Sequence, residues 1–177
     1  MAVTMMVLAP VGVVACDDGA SGSSRSTLQM SVPVPSPLAL PLVEQIASAI
    51  EALEAELGGP QRFFEVNATS KLVNLFVALN DGAVVQAWVY LDGMLSSSEG
   101  RAASGGTFTL ADLDFDPAAV LTQVVTELPG STLETFYVNG DGEGNVQYGV
   151  LVTSAEGGGL DVLVAPDGEV LAVDPLT

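Results

Sequence analysis

The chain contains no histidine, one cysteine and one tryptophan, and only four of its 177 residues are Lys or Arg. Each scarcity removes a class of chemistry. Without histidine there is no Ser-His-Asp triad, no imidazole metal site, and none of the side chain most often used as a general acid or base. A lone cysteine, Cys16, allows no internal disulfide. Against the four bases stand 22 acids, for a formal charge of −18, and no Lys or Arg follows Arg101 although twelve Asp or Glu do. Nucleic acid is disfavoured as a partner, because phosphate binding depends on Lys and Arg neutralising the backbone. Lys71, the only lysine, lies in a strand-forming run where nothing suggests a Ser-Lys dyad, and it reads as a solvated strand residue. Gly157-Gly158-Gly159 lacks the helix and Lys-Ser/Thr of a phosphate loop and reads as a hairpin turn. With Trp88 the only tryptophan there is no aromatic sugar platform to accompany a carboxylate pair. The expectation is a protein that is not an enzyme and uses no cofactor.

What is present begins with an uncharged apolar run ending in Val13-Val14-Ala15-Cys16. Met5 to Ala15 is too short for a membrane-crossing helix, which needs roughly twenty residues, and Pro10 and Gly12 interrupt it. It has the length of a signal-peptide h-region. VVAC resembles the lipobox of bacterial lipoprotein precursors, in which the cysteine receives the lipid and becomes the mature N-terminus. The resemblance implies a signal peptide over residues 1–15, lipidation of Cys16, and an envelope location, either on the outer face of the cytoplasmic membrane or periplasmic. One departure is the lack of Lys or Arg before Cys16, where signal peptides ordinarily open with positive charge. Residues 16–39 follow as a tether, Gly/Ser-rich at first and then Pro-alternating at Pro33, Pro35 and Pro37, a composition that passes from flexible coil to extended polyproline.

Residues 40–177 are long enough for one ordinary domain. Nearly half of the chain is apolar (49%) and only 15% is charged, so hydrophobic burial suffices to fold it without disulfide or metal. Pro41 to Leu57 carries Leu42, Ile46, Ile50, Leu53 and Leu57 at helical spacing, with Gly58-Gly59-Pro60 as the stop. Strand patterns follow at Arg62 to Ala68, Lys71 to Leu79 and Ala83 to Leu91, the last two joined by an Asn80-Asp81-Gly82 turn. In these two runs Val73, Leu75, Val77 and Leu79, and likewise Val85, Ala87, Val89 and Leu91, point to one face, with Leu72, Phe76, Trp88 and Tyr90 on the other. Ser96 to Gly106 reads as a mobile loop or the joint between two halves, 40–95 and 107–177. A second helix is predicted from Asp116-Pro117 as N-cap and first residue, with Val120, Leu121, Val124 and Leu128 on one face and Pro129-Gly130 as its end. Four strands complete the chain: Thr132 to Val138, Asn145 to Ser154, Leu160 to Ala165 and Glu169 to Asp174. The fold class is therefore α+β, two helix-plus-antiparallel-sheet repeats (αβββ, then αββββ) forming one domain, with the sheets joined edge to edge or packed through their helices.

The second half, with AAVLTQVV, LPGSTLETFYV, NVQYGVLVTS and the closing DVLVAPDGEVLAVD, resembles the PepSY plan of a helix and antiparallel strands. The first half, with LFVALNDGAVVQAWVYLDG, is a weaker copy. Tandem PepSY-like or beta-lactamase-inhibitor-protein-like modules on secreted lipoproteins are what residues 40 to 177 resemble. That resemblance implies extracytoplasmic protein interaction and brings no catalytic residue with it.

Two acidic constellations remain. Asn139, Asp141 and Glu143 before Gly144 reproduce the first half of a calcium loop, but position 12 is Val150 where a bidentate Glu is required. A plain strand connector is the expectation, and no metal is assigned. Asp112, Asp114 and Asp116 alternate in ADLDFDP, a pattern that could face a cation or a basic partner but is expected to cap the helix through Asp116 and leave the others solvated. Two functions are thus carried forward: a non-catalytic lipid-anchored module that binds a basic extracytoplasmic protein, and a carrier of an apolar ligand such as a lipid. The N-terminal reading has a direct check. Metabolic labelling should place fatty acid on the wild-type protein, and Cys16→Ser should release the protein or leave an uncleaved precursor.

Overall fold

A helix can bury only one stripe, and both helical elements show where that stripe lies. In the computed structural model, which describes residues 39–176, α1 spans Ile46–Leu57 and is preceded by a 3-10 turn at Val43–Gln45. The helix therefore starts later than Pro41. The Leu42 N–H donates to the Thr69 carbonyl at 2.9 Å, which ties the lead-in to the sheet instead of to a helical turn. The buried stripe is Val43, Ile46, Ala49, Ile50 and Leu53, whereas Leu57 is 40% exposed. Gly58 ends α1 in the left-handed region, at φ 82°, where glycine carries no Cβ penalty. The second helix, α2, spans Pro117–Glu127, with the Asp116 carboxylate accepting the Ala118 and Ala119 N–H groups as an N-cap. Val120 and Val124 face its core, as the periodicity predicted.

The strands are β1 (Phe63–Thr69), β2 (Val73–Leu79), β3 (Val84–Leu91), β4 (Met94–Ser97), β5 (Arg101–Ala102), β6 (Thr132–Gly140), β7 (Val146–Thr153), β8 (Gly159–Val164) and β9 (Val170–Pro175). All join one sheet in the order β4-β3-β2-β1-β6-β7-β8-β9, with β5 also on β3, and each pairing is antiparallel. The fold is α+β. Ser96 to Gly106 is not simply a loop: Ser96 and Ser97 belong to β4, and Arg101–Ala102 form β5. Edge pairing uses backbone groups, so Ser-rich sequence can occupy an exposed edge strand where an apolar pattern is not required. The first half accordingly carries five strands where three were expected.

The halves meet edge to edge through β1 and β6, with Val66 opposite Val138 and Ala68 opposite Phe136. Past Glu65 the seam opens, and the chain leading to α2 enters it. Phe108 bridges Phe63, and Gly106 bridges Gly140. A Cβ on Gly106 would lie 2.5 Å from the Gly140 carbonyl oxygen, and one on Gly140 would lie 2.7 Å from the Thr107 nitrogen. Only residues without a Cβ fit this crossing.

Register assigns the two faces of the sheet. Leu75 lies opposite Trp88, and Val73 opposite Tyr90, so these aromatics share the core face with the β2 valines and leucine. Val85, Ala87 and Val89 share the other face with Phe76 and Ala78. This corrects the face assignment made from alternation alone, because two strands related by a hairpin can be phased only by the turn that joins them. One hydrophobic cluster holds the buried stripes of both helices together with Phe63, Val66, Val73, Leu75, Val77, Phe136, Val138, Val150, Val152 and Val162. The helices therefore cover the same face of the sheet. Among the described residues, no helix is long and apolar enough to cross a membrane.

Ile50 and Leu53 are fully buried and Glu51 between them is exposed. Truncation of Ile50 or Leu53 to Ala should lower stability by about 2–5 kcal/mol, and Glu51→Ala should change it by less than about 0.5 kcal/mol, as read from denaturant melts.

Candidate functional site

The face of the sheet turned away from the helices carries a built side-chain arrangement. Its middle, across β2, β1 and β6, is polar because Asn74, Asn67, Glu65, Tyr137 and Asn139 take the outward positions of strands whose inward positions are Val, Leu and Phe. Asn74 Nδ2 donates to Asn67 Oδ1 at 2.7 Å, and Asn67 Nδ2 donates in turn to Glu65 Oε1. These side chains are half-buried.

Tyr137 is the anchor of the face. It is only 9% exposed although it lies outside the helix-side core cluster. Its ring lies over Gly149, directly opposite on β7, and its hydroxyl donates to Asp161 Oδ1 on β8 at 2.6 Å. A Cβ on Gly149 would stand 2.3 Å from the Tyr137 hydroxyl, so this crossing exists only because position 149 is glycine. Burial, then the hydrogen bond to Asp161, then the charges of Asp161 and Glu65 hold the Tyr137 phenol well above its usual range. Apolar side chains flank the polar centre. Phe76, Val85, Ala87 and Val89 lie on one side and Leu151 and Leu163 on the other, all half-buried.

The acidic groups singled out from sequence do not converge. Asp141 turns its carboxylate into its own loop, accepting the Glu143 N–H at 2.7 Å, the Asn145 N–H at 2.9 Å and Asn145 Nδ2 at 2.9 Å. The Asn145 side chain is the largest of the contacts that lower its pKa. Asn139 points from β6 onto the open face, opposite Glu65. Asp112 caps the 3-10 turn Leu110–Asp112, where the Thr109 backbone N–H, and after it the Thr109 hydroxyl, lower its pKa. Asp114 offers its backbone N–H to the Tyr148 hydroxyl at 2.9 Å, and Asp116 is spent on the α2 cap. Among the described residues no three His, Cys, Asp or Glu side chains are placed to hold a metal ion. Lys71 is exposed in the β1–β2 turn, not within a strand. Gly157 and Gly158 lie in the turn between β7 and β8, whereas Gly159, read as part of that turn, is the first residue of β8. Cys16 lies outside the described residues.

The open end of the seam forms two adjoining polar depressions, of about 420 and 650 Å³, that share Arg62, Gly105 and Thr107. Apolar depressions are smaller: about 310 Å³ beside Leu163 and Leu171, and about 270 Å³ between Val43, Leu113 and Phe115. No family model, no curated protein and no solved structure matches the chain.

The sequence reading did not identify Tyr137, Gly149, Asp161 or the Asn67–Asn74 pair. A signal was there, since an isolated glycine within the apolar run Val146–Thr153 marks a close approach by another group. Gly149→Ala should displace Tyr137 and cost about 1–3 kcal/mol. The raised Tyr137 pKa also has a sign. The folded state holds this proton more tightly than the unfolded chain, so the stabilisation is complete below the unfolded tyrosine pKa of about 10 and is lost as pH rises through the higher folded value. Melts between neutral and strongly alkaline pH should show that Tyr137→Phe is less sensitive to alkali than the wild type.

Proposed function

We propose that the chain is a non-catalytic, lipid-anchored extracytoplasmic module that binds a basic protein on the open face of its sheet. The observation that carries this reading is the one-sided sheet. Among the described residues both helices cover one face, and the other presents a buried, hydrogen-bonded tyrosine, hydrogen-bonded amides and flanking apolar side chains. Tyr137 is already buried and hydrogen-bonded to Asp161, so it fixes the centre of the face, and the half-buried Phe76, Val85, Val89, Leu151 and Leu163 around it are the surface a partner would cover. The charge of −18 supports a basic partner, because complementary potentials speed association and suppress wrong partners. Anchoring through Cys16 belongs to the same reading and rests on the VVAC pattern. The order of helix then antiparallel strands, present in each half, supports the likeness to PepSY and beta-lactamase-inhibitor-protein modules as two copies of one plan.

A lipid carrier would need an enclosed apolar cavity on the order of several hundred Å³. The helix-side core is instead filled by fully buried Ile, Leu, Val and Phe, and the apolar depressions of about 310 and 270 Å³ lie at the surface, which favours the binder. The full chain, incubated with envelope extract, should retain a basic protein at about 0.05 M salt and release it near 0.5 M as the charges are screened. Val89→Lys on the open face should weaken capture by about 2 kcal/mol. Native mass spectrometry that finds a co-purified lipid, with no protein partner at either salt, would replace this reading with the carrier.

A further inference from the structure

The two outer strands of the sheet differ in a way that assigns them different roles. The edge made by β4 and β5 is interrupted. Ser98–Gly100 separates its two pieces, and Ser96, Ser97 and Arg101 put polar groups along it. Breaks and charges of this kind blunt an edge against pairing. The opposite edge, β9, is a continuous six-residue strand with a bulge at Leu171, since Ala172 pairs with Leu163 and Val170 with Val164; Leu171 is 63% and Val173 is 42% exposed. No strand lies outside it among the described residues.

Backbone phase shows what β9 offers. The Leu176 N–H donates to the Gly159 carbonyl, and in an antiparallel ladder hydrogen-bonded pairs alternate with non-bonded ones. With Asp174 opposite Asp161 and Val173 opposite Val162, Asp174 lies in a bonded pair and Val173 in a non-bonded one. The N–H and C=O of Val173 therefore point outward, away from β8. Pro175 shares that phase, so the N–H it lacks would have faced outward, where no ladder bond is lost.

The same register sets Asp174 directly opposite Asp161 on the open face. Like charges at directly opposed positions destabilise a sheet. The bases among the described residues lie elsewhere: Arg62 at the open end of the seam, Lys71 in the β1–β2 turn and Arg101 on β5. A strand laid along β9 would bring its own side chain to the position next to Asp174. A Lys or Arg there would relieve the Asp161–Asp174 pair, whereas a second copy of this chain would add its own acidic edge.

We infer that β9 is a docking edge that accepts an extended basic segment of the partner as an additional antiparallel or parallel strand. Lys or Arg of that segment would meet Asp174 on the open face, and its apolar side chains would lie along Val173 on the helix side of the strand. This deepens the proposed function, resting on its basic partner and adding where and how a segment of it attaches.

The test uses the full chain and a synthetic peptide of alternating lysine and valine, about eight residues long to match a typical strand, with an alternating glutamate and valine peptide as control. The lysine peptide should bind and the glutamate peptide should not. The Val173 amide should gain protection from hydrogen exchange, and Val173→Pro and Val173→Lys should each weaken binding by about tenfold or more. Both substitutions spare the ladder to β8, and circular dichroism with thermal melts identifies the variant that keeps the fold. Peptide binding that ignores both substitutions but is lost in Val89→Lys would overturn the docking edge and leave the open-face reading standing. Failure of the lysine peptide to bind at all would overturn the docking edge, while retention of a basic protein on the open face in the extract experiment is scored separately. Self-association that strengthens with salt and disappears in Val173→Pro would make a second copy the occupant and overturn the inference as well.

Discussion

The antiparallel pairing of β1 with β6 is the contact on which the rest of the molecule depends. Each half brings one helix with a single apolar stripe and a small sheet with one apolar face, and a sheet edge left open in the middle would expose unpaired backbone groups. Joining the edges satisfies those groups and merges the two apolar faces into one. Phe63, Val66 and Ala68 of the first half then share a core with Phe136, Val138 and Val150 of the second. The pooled interior gains from surface-to-volume scaling, which makes larger cores disproportionately better at excluding water.

The seam also places the distinctive surface features. Because both helices take the same face, the other face of the nine-stranded sheet stays open among the described residues, and the seam runs down its middle. Polar residues gather there, with Glu65, Asn67, Tyr137 and Asn139 on the two strands that join the halves. Beyond Glu65 the strands part to admit the chain that leads into α2, and the glycine pair 106 and 140 allows backbone to approach backbone. The polar depressions around Arg62 exist because the seam is wedged open at that end. Tyr137 belongs to the same economy of space: it crosses β7 where Gly149 leaves room and reaches Asp161 two strands away.

The surface is dominated by one sign of charge, yet the carboxylates do different work. Asp116 caps α2, Asp112 closes a 3-10 turn and Asp141 organises the β6–β7 loop, so each is satisfied by nearby N–H groups. Asp161 holds Tyr137. Asp174 is the contrasting case, set against Asp161 at the outermost strand. An acidic composition is thus resolved into structural acids, exposed but engaged in local hydrogen bonds, and acids left facing outward at the open face and its β9 margin.

The elements were largely legible in the chain itself. Helix periodicity located α1 and α2, the Asp116-Pro117 cap fixed the start of α2, and glycine and proline punctuation separated β1, β2, β3 and the four strands of the second half, because these signals are local and act within a few residues. The short edge strands β4 and β5 were hidden, since a strand held by backbone bonds at an exposed edge needs no alternating pattern. Strand phase was hidden too: Trp88 and Tyr90 joined the core because the β2–β3 hairpin set them opposite Leu75 and Val73, a register that alternation within either strand does not contain. The Tyr137–Gly149–Asp161 crossing was foreshadowed only by a glycine in an apolar run. Composition by itself determined the acidity, the lack of imidazole chemistry and the sufficiency of the core. Tertiary structure alone decided which face is open, which edge is blunted and which acids are paired, because those properties arise from side chains brought together by strands far apart in the chain.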